Sequence, residues 1–407
     1  MKVDWPYEFP GTYWLDKKEE KAVLSVLRKG SMFRYYGLRD PKYVDAYEAG
    51  ARRFYKARYA LGVNSGTGAL IASMRALGIG PGCEVILPAF MWVATVGAVV
   101  QVGAIPVLCE IDDSFSMDPE DLERKITPRT KLIVPIHMAG SPCDIDAIIK
   151  VAKKHRIAVL EDCAQCNGGS FKGKKVGTFG DMAIFSLQLN KNMTCGEGGL
   201  IITNNKKLYE RAFSAHDMGM VRKRGRLATP EPYAIMWGGG RRMTELCAAV
   251  ATVQLTKLPK IVAHMQASKR RIKAMLEEVP GVSFRRLADP KGDTGPFLVL
   301  ILQDESKAIA AAKKMKGSGL HNVFRITEYG LHIYYNIPSL ADKVPLSAAG
   351  DPWSLEANSE SVYEYKKGTC PASDDLFARS ILVPIPSRLT TAQEKAGAKA
   401  IRAAVGG

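Results

Sequence analysis

The sequence predicts an α/β fold built on a largely parallel sheet that is buried on both faces. From about residue 58, short apolar runs of β type alternate with helical patterns. A continuous stretch from Val85 to Cys109 carries no charged residue, as expected where strands and a helix are all covered. After about residue 205 the alternation stops, and a more mixed pattern marks a smaller α+β unit. The boundary is read at 254/255, giving a large domain over 1–254 with an N-terminal arm and a small domain over 255–407.

The first strand candidate is YALGV (59–63), followed by the helical TGALIASMRAL. EVILP (84–88) and IPVLC (105–109) flank the helical WVATVGAVVQVG. Pro88, Gly97, Gln101, Gly103 and Pro106 interrupt this charge-free stretch, so it reads as strand–helix–strand and not as a membrane span. DPEDLERKI leads to KLIVPI (131–136), and DIDAIIKVAKKH leads to IAVLED (157–162). MAIFS (182–186) and GLIIT (199–203) complete seven strands. A basic, Gly-rich stretch over 219–242 precedes a long helical pattern from Thr244 to about Glu278. FLVLIL, SKAIAAAKKM, SILVPI and TAQEKAGAKAIRAAV supply the small domain, and residues 341–372 read as a surface excursion.

Composition narrows the function. In 407 residues, 46% are hydrophobic and 24% charged, which excludes long-range disorder, collagen and a coiled coil. The net charge of +16 favours anionic partners. No aromatic-flanked basic stripe is present, so no nucleic-acid partner is expected. The basic runs 222–226 and 269–273 read as solvated faces. Eight scattered cysteines do not make a disulfide scaffold. Cys163 and Cys166 form a C-x-x-C without a second ligand pair at matching spacing, so no metal is expected. The opening MKVDWPYEFPG has no apolar signal core, and reduced thiols in a cytoplasm are expected.

In parallel sheets, ligands gather at the carboxyl ends of the strands. Four strand-end loops carry candidate chemistry. The first, Val63-Asn-Ser-Gly-Thr-Gly-Ala69, has small residues before a helix and can cradle phosphate; a capped βα turn explains it as well. The second holds Phe90 and Trp92; a tryptophan there can stack on a flat ring, or both can be core. The third ends a buried strand with Glu161-Asp162; a desolvated Asp162 needs a cation, and a protonated pyridine nitrogen or a structural ion pair would serve. The fourth places Lys191 between Ser186 and a Gly-Glu-Gly-Gly, where a lysine of lowered pKa can form a Schiff base or can simply be solvated.

Taken in chain order, phosphate cradle, stacking aromatic, carboxylate and lysine are the parts of a pyridoxal 5'-phosphate site. The pieces SGTGAL, PAFMWVAT, HMAGSPCDIDAI, EDCAQ, FSLQLNKNMTCGEGG and RRMTEL resemble the DegT/StrS-type aminotransferases, which aminate keto-sugars and keto-cyclitols. The resemblance runs from KKEEKAVLSVLRKGSM to SILVPIPSRLTTAQ. It implies the aspartate aminotransferase-like architecture (pyridoxal phosphate fold type I) and a homodimer with shared active sites. It implies glutamate or glutamine as amino donor and a keto-sugar or related ketone as acceptor. By the same resemblance Lys191 carries the cofactor and Asp162 faces its ring nitrogen. Gln165 reaches the ring hydroxyl, Trp92 stacks on the ring, and Gly66, Thr67 and Ser186 hold the phosphate. His137 lies near the site, with a structural role equally open. The chain departs from the family where an Asn is usual: Gly240 stands there, and Arg241 from the neighbouring subunit or a water is the candidate replacement. Relatives with His in place of the lysine act as dehydratases, and Lys191 favours transamination; another pyridoxal phosphate reaction on the same scaffold, a dehydration or a condensation, is the alternative, and a non-catalytic relative is a second one that Lys191, Asp162 and the phosphate loop together argue against.

Overall fold

The computed structural model describes residues 2–40, 42–223 and 225–406, so Arg224 of the basic run lies outside the described residues. Helices α1 (Lys17–Lys29) and α2 (Tyr43–Tyr55) precede β1 (Tyr59–Val63). There follow α3 (Gly66–Ala76), β2 (Glu84–Pro88), α4 (Val93–Gln101), β3 (Ile105–Cys109), α5 (Pro119–Lys125) and β4 (Thr130–Ile133). Next come α6 (Ile145–His155), β5 (Ala158–Asp162), β6 (Met182–Ser186), β7 (Gly199–Thr203) and α7 (Lys206–His216). The long α8 (Glu245–Ala274) leads into β8 (Ser283–Phe284), β9 (Phe297–Ile301), α9 (Glu305–Gly317) and β10 (Phe324–Arg325). The chain ends with α10 (Pro371–Ala378), β11 (Ser380–Pro384) and α11 (Thr391–Val405).

The seven expected strands form one sheet in the order β1-β7-β6-β5-β4-β2-β3. Strands β3, β2, β4, β5 and β6 run parallel, and β7 is antiparallel to both β6 and β1. The run read as KLIVPI forms continuous strand only as far as Ile133, and an isolated parallel bridge joins Ile136 to Asp162 beyond it. Pro135 has no N–H to give, so the ladder stops before it. Its carbonyl instead accepts the Asp162 N–H at 2.9 Å, which holds the end of β5 in place. A second, antiparallel sheet, β8-β9-β11-β10, carries the FLVLIL and SILVPI runs side by side.

Two features cross the boundary read at 254/255. Helix α8 runs through it without a break, packed against α1 and α2 at one end and α11 at the other. This helix has the length and apolar composition of a membrane span, yet its apolar residues Leu255, Leu258, Ile261, Val262 and Met265 are buried within the protein. The N-terminal segment also crosses: the Val3 N–H donates to the Ser318 carbonyl, and Trp5 sits in the core formed by β9, β11 and α11.

The 341–372 excursion is anchored, not loose. Tyr365 is fully buried and its hydroxyl donates to the Pro106 carbonyl at 2.7 Å. The Asn358 amide spans Gly82 and Gly103. These contacts tie the excursion to the β2–β3 edge of the large sheet.

Helix α2 starts without a side-chain cap of its own. Its first N–H groups are taken by Glu245, the first residue of α8, which accepts from Lys42, Tyr43 and Val44 at 2.8, 2.7 and 3.0 Å. One buried carboxylate therefore caps a helix from far along the chain and fixes α2 against α8. Glu245→Ala should lower stability by about 2 kcal/mol, the upper range for loss of a cap. Chemical denaturation measures it, and an unchanged midpoint would mean that the contact contributes nothing.

Candidate active site

The parallel strands β2, β5 and β6 end at one edge of the sheet, and a cavity of about 540 Å³ opens there. Gly66, Thr67, Trp92, Asp162, Gln165, Ser186 and Lys191 all line it. Residues read from four separate loops thus converge on one space.

The cradle is built by the start of α3. Ser65 caps the helix, its Oγ accepting the Gly68 N–H at 2.9 Å. Helix geometry leaves the Gly66 and Thr67 N–H groups without carbonyl partners inside the helix, facing the cavity. A Cβ added at Gly66 would stand 2.9 Å from the Ser186 Cβ, so glycine is required for the two segments to meet. Backbone donors at a helix start beside a serine hydroxyl fit a phosphate.

Phe90 and Trp92 divide their duties. Phe90 is fully buried core, whereas Trp92 keeps 42% of its surface exposed, toward the cavity. Asp162 is buried, with Thr95 Oγ1 donating to Oδ2 at 2.9 Å and the Ala164 N–H donating to Oδ1 at 3.0 Å. Burial raises its pKa, against the pull of those two donors and of Lys191. Lys191 is the counterpart: burial lowers the pKa of its amine, opposed by Asp162 and Glu197. An acid and a base pushed toward each other across a cavity wall are a recognised mark of a functional site.

Gln165 is fixed at both ends. Its Oε1 accepts the Ala139 N–H at 3.0 Å, and its Nε2 donates to His332 Nε2 at 3.0 Å. His332 Nδ1 donates to the Tyr329 carbonyl at 3.0 Å, which leaves Nε2 as acceptor. Burial lowers its pKa to about 4, so the ring is neutral at neutral pH. It stacks on Tyr329 at 4.0 Å and tilts against Trp92 at 4.7 Å.

Two parts of the cavity wall were not foreseen as site residues. One is His332 with Tyr329. The other is the N-terminal stretch Pro6–Pro10, which lines the cavity. The Gly11 N–H donates to the Lys191 carbonyl at 3.1 Å, and a Cβ at Gly11 would come within 2.9 Å of the Met193 Cα. A proline- and aromatic-rich opening of this kind was the available signal.

Two expected contributors stand outside the cavity lining. Arg241 lies beside Gly68 and over Gly239, and its Nη1 is buried without a hydrogen-bond partner among the described residues. His137 is fully buried behind the site. Its Nδ1 accepts the Cys143 N–H at 3.2 Å, which puts the ring proton on Nε2, 3.1 Å from Glu161. Glu161 also accepts from the backbone of Gly177, Phe179 and Gly180, each at 2.7 Å. His137, Glu161 and Cys163 have the donor types of a metal site. The Glu161 oxygens and the His137 Nδ1 are already engaged with N–H donors, so the arrangement is a hydrogen-bonded brace.

A model of the DegT/DnrJ/EryC1/StrS aminotransferase family matches residues 14–402. The chain belongs to that family. Family members depend on pyridoxal 5'-phosphate. The chain is 39% identical over 222 residues to GDP-perosamine synthase of Vibrio cholerae, a match covering 54% of this chain and 59% of that protein. The matched region therefore spans less than two thirds of that relative's length. The fold resembles 3-amino-5-hydroxybenzoic acid synthase with a TM-score of 0.80 and 26% identity over 100% of both chains. It resembles DesV of S. venezuelae, solved in complex with a ketimine intermediate, with a TM-score of 0.79 and 26% identity over 99% of this chain and 98% of that one. These neighbours share the type I fold expected for the family.

The Glu161 brace generates a prediction. A glutamine there must turn an NH₂ group toward backbone N–H donors or toward the His137 Nε2–H. Glu161→Gln should cost about 2–3 kcal/mol of stability, the scale of losing hydrogen bonds to a charged group. Urea denaturation of the cofactor-free protein checks it; a neutral substitution would mean that the turn at 177–180 is held by other contacts.

Proposed function

We propose that the protein is a pyridoxal-phosphate-dependent aminotransferase that moves an amino group from glutamate or glutamine to a keto-sugar or related ketone. The observation that carries this reading is the pairing of Lys191 with Asp162 across a cavity whose floor is the Gly66–Thr67–Ser186 cradle. The residues fit the cofactor: two open backbone donors and a hydroxyl for its phosphate, an open tryptophan face for its ring and a buried carboxylate for its nitrogen.

When bound, pyridoxal phosphate supplies the electron sink through which an amino group can leave one carbon and join another. The chain's residues do the rest. Lys191 Nζ would hold the cofactor and, as a free amine, would act as general base that takes and returns the proton at the substrate carbon bearing the amino group. Its lowered pKa increases the share of free amine at neutral pH. Asp162 keeps a proton on the ring nitrogen by charge pairing. Thr95 and the Ala164 N–H orient its two oxygens. Trp92 covers one ring face and excludes water, and Gln165, held by His332 and Ala139, is placed for the ring hydroxyl.

The acceptor is proposed to be an anionic keto-sugar. The net charge of +16 suits one. The stretches FRYYG (33–37), ITPRTK (126–131) and MTCGEGG (193–199) are similar to those of the bacterial enzyme that makes 8-amino-3,8-dideoxy-manno-octulosonate, an acidic sugar. The partial match to GDP-perosamine synthase supports a nucleotide-linked sugar, which is anionic too. Location in the cytoplasm fits eight free thiols.

A homodimer is part of this reading. Leu38, Ile235 and Trp237 expose 87%, 62% and 90% of their surface, as residues awaiting an apolar partner do. The unpartnered Arg241 Nη1 is the donor offered to the neighbouring subunit's phosphate in place of the usual Asn. Arg241→Ala should then weaken cofactor binding about tenfold or more, as loss of one charged hydrogen bond does. Unchanged affinity in a titration with pyridoxal phosphate would free Arg241 from that duty.

Borohydride reduction of the loaded protein should fix the cofactor to Lys191, and peptide mapping that finds it on another lysine would overturn the assignment. Asp162→Asn separates function from structure. The cofactor-free variant should stay within about 1 kcal/mol of the parent, because the amide oxygen can still accept one of the two hydrogen bonds. Amino transfer from glutamate or glutamine to a panel of keto-sugars, followed by mass spectrometry, should fall about a hundredfold or more. Turnover at the parent rate would make Asp162 a structural residue.

A further inference from the structure

The Gln165 amide has two chemically different ends, and its neighbours fix which of them faces the cavity. The Ala139 N–H can only donate, so the atom 3.0 Å from it is Oε1. The turn that carries this N–H is itself held. Ala139 has a φ of +52°, in the left-handed region that alanine rarely takes. On one side the Met138 carbonyl accepts from Arg285 Nη1 at 2.8 Å. On the other the Gly140 carbonyl accepts the Thr294 N–H at 2.7 Å and the Thr294 hydroxyl at 2.9 Å. With Oε1 committed, Nε2 is the end that meets His332. The histidine tautomer follows from a carbonyl too: the Tyr329 oxygen can only accept, so Nδ1 carries the proton and Nε2 the lone pair. Burial, aided by the charge of Lys191 and opposed by the Tyr329 carbonyl, lowers the ring's pKa to about 4 and keeps that lone pair free near neutrality. One Nε2 hydrogen of Gln165 is spent on His332. The other has no partner among the described residues and is left for the cavity that Gln165 lines.

We propose that His332 is a positioning residue: by accepting from Gln165 and bracing Trp92, it makes Gln165 present an N–H, and not its carbonyl, to the ring oxygen of pyridoxal phosphate. The inference rests on the seating of the cofactor proposed above. His332 is tied to the Trp92 loop by its backbone as well as its ring. Its carbonyl accepts the Met91 N–H at 3.0 Å, and Ile333 makes an antiparallel bridge to Phe90. One residue therefore sets both the group at the ring's oxygen edge and the group at its face. An N–H aimed at that oxygen favours its anionic form. Without the lone pair of His332, the Gln165 amide loses the partner that orders Nε2, and the ring oxygen becomes more basic. His332 acts through Gln165 and moves no proton itself.

The test loads the full chain with pyridoxal phosphate and follows the absorption of the bound cofactor against pH. His332→Phe keeps a flat ring beside Tyr329 and removes the acceptor. It should raise the pH midpoint of the absorption change by about half a unit or more, because a more basic oxygen keeps its proton longer. His332→Gln, whose Oε1 can accept in place of the imidazole nitrogen, should bring the midpoint back toward the parent's. In a Gln165→Ala background, His332→Phe should move it no further, as expected when one residue acts through the other. An equal shift with and without Gln165 would overturn the proposal. Cofactor found on a lysine other than Lys191 after borohydride reduction overturns the seating and this inference with it. Cofactor on Lys191 with an unmoved midpoint in His332→Phe overturns this inference alone. Should His332→Phe fold poorly, nitrogen NMR of the histidine-labelled parent decides: a proton on Nδ1 of His332 and a bare Nε2 are expected, and a proton on Nε2 would refute it.

Discussion

Two adjacent carboxylates end strand β5, and the site is organised by how the fold accommodates them. Neighbouring side chains on a strand point to opposite faces of the sheet. Glu161 and Asp162 are therefore sent to different environments by one residue of register. Glu161 enters a closed shell of three backbone N–H groups and His137, which compensates for taking its charge out of water. Asp162 enters the cavity wall, where Thr95 and the Ala164 N–H hold it and the charge of Lys191 acts on it, and burial still raises its pKa. The first carboxylate is structural because it is satisfied. The second faces the cavity with its charge incompletely compensated, as its raised pKa shows.

The same constraint explains why Lys191 lies where it does. β6 is the parallel neighbour of β5, with Asp162 paired in register to Ile184, and the loop after β6 must turn across the end of β5. That places the amine within electrostatic reach of Asp162. The loop is held by Leu187, which accepts from the Cys195 N–H and Thr194 Oγ1, and by Gly11 from the N-terminal segment. Gly11 joins the Lys191 backbone on one side, while Trp5 and Val3, a few residues earlier, are rooted among β9, β11 and α11. The lysine is thus positioned by both structural units.

What the sequence shows of this depends on distance along the chain. The strands are legible because apolar runs and helical periods are local signals, and all seven candidates pair in one sheet. The residues at strand ends are legible for the same reason: a small-residue turn before a helix, or a carboxylate ending a buried strand, is a pattern within a few positions. His332 is not legible, because nothing near it in the chain says that Gln165 and Trp92 will meet it. Glu245 is not legible as a cap, because the helix it caps starts some 200 residues earlier. The 341–372 segment has a loop's composition, and the groups that pin it, the Pro106 carbonyl and the Glu84 carboxylate, belong to distant strands. The 254/255 boundary follows a change of rhythm, but α8 needs its full length to pack on α1, α2 and α11.

Gly240 illustrates how a local departure can be absorbed without disturbing the rest. Its φ of +63° lies in the left-handed region, where glycine is at ease. Its N–H donates to the Asp217 carbonyl at 2.8 Å, and Arg242, two residues on, makes an antiparallel bridge to Val63 at the end of β1. Asp217 meanwhile holds Arg222 and Arg242 by its carboxylate. The turn is therefore fixed from its backbone and from a buried aspartate, with no side chain needed at position 240. Arg222 and Arg242 have their anion in Asp217, whereas Arg241 has no acidic partner among the described residues, and burial and then the charge of Arg75 lower its pKa. Of the three arginines, Arg241 is the one without a carboxylate partner among the described residues.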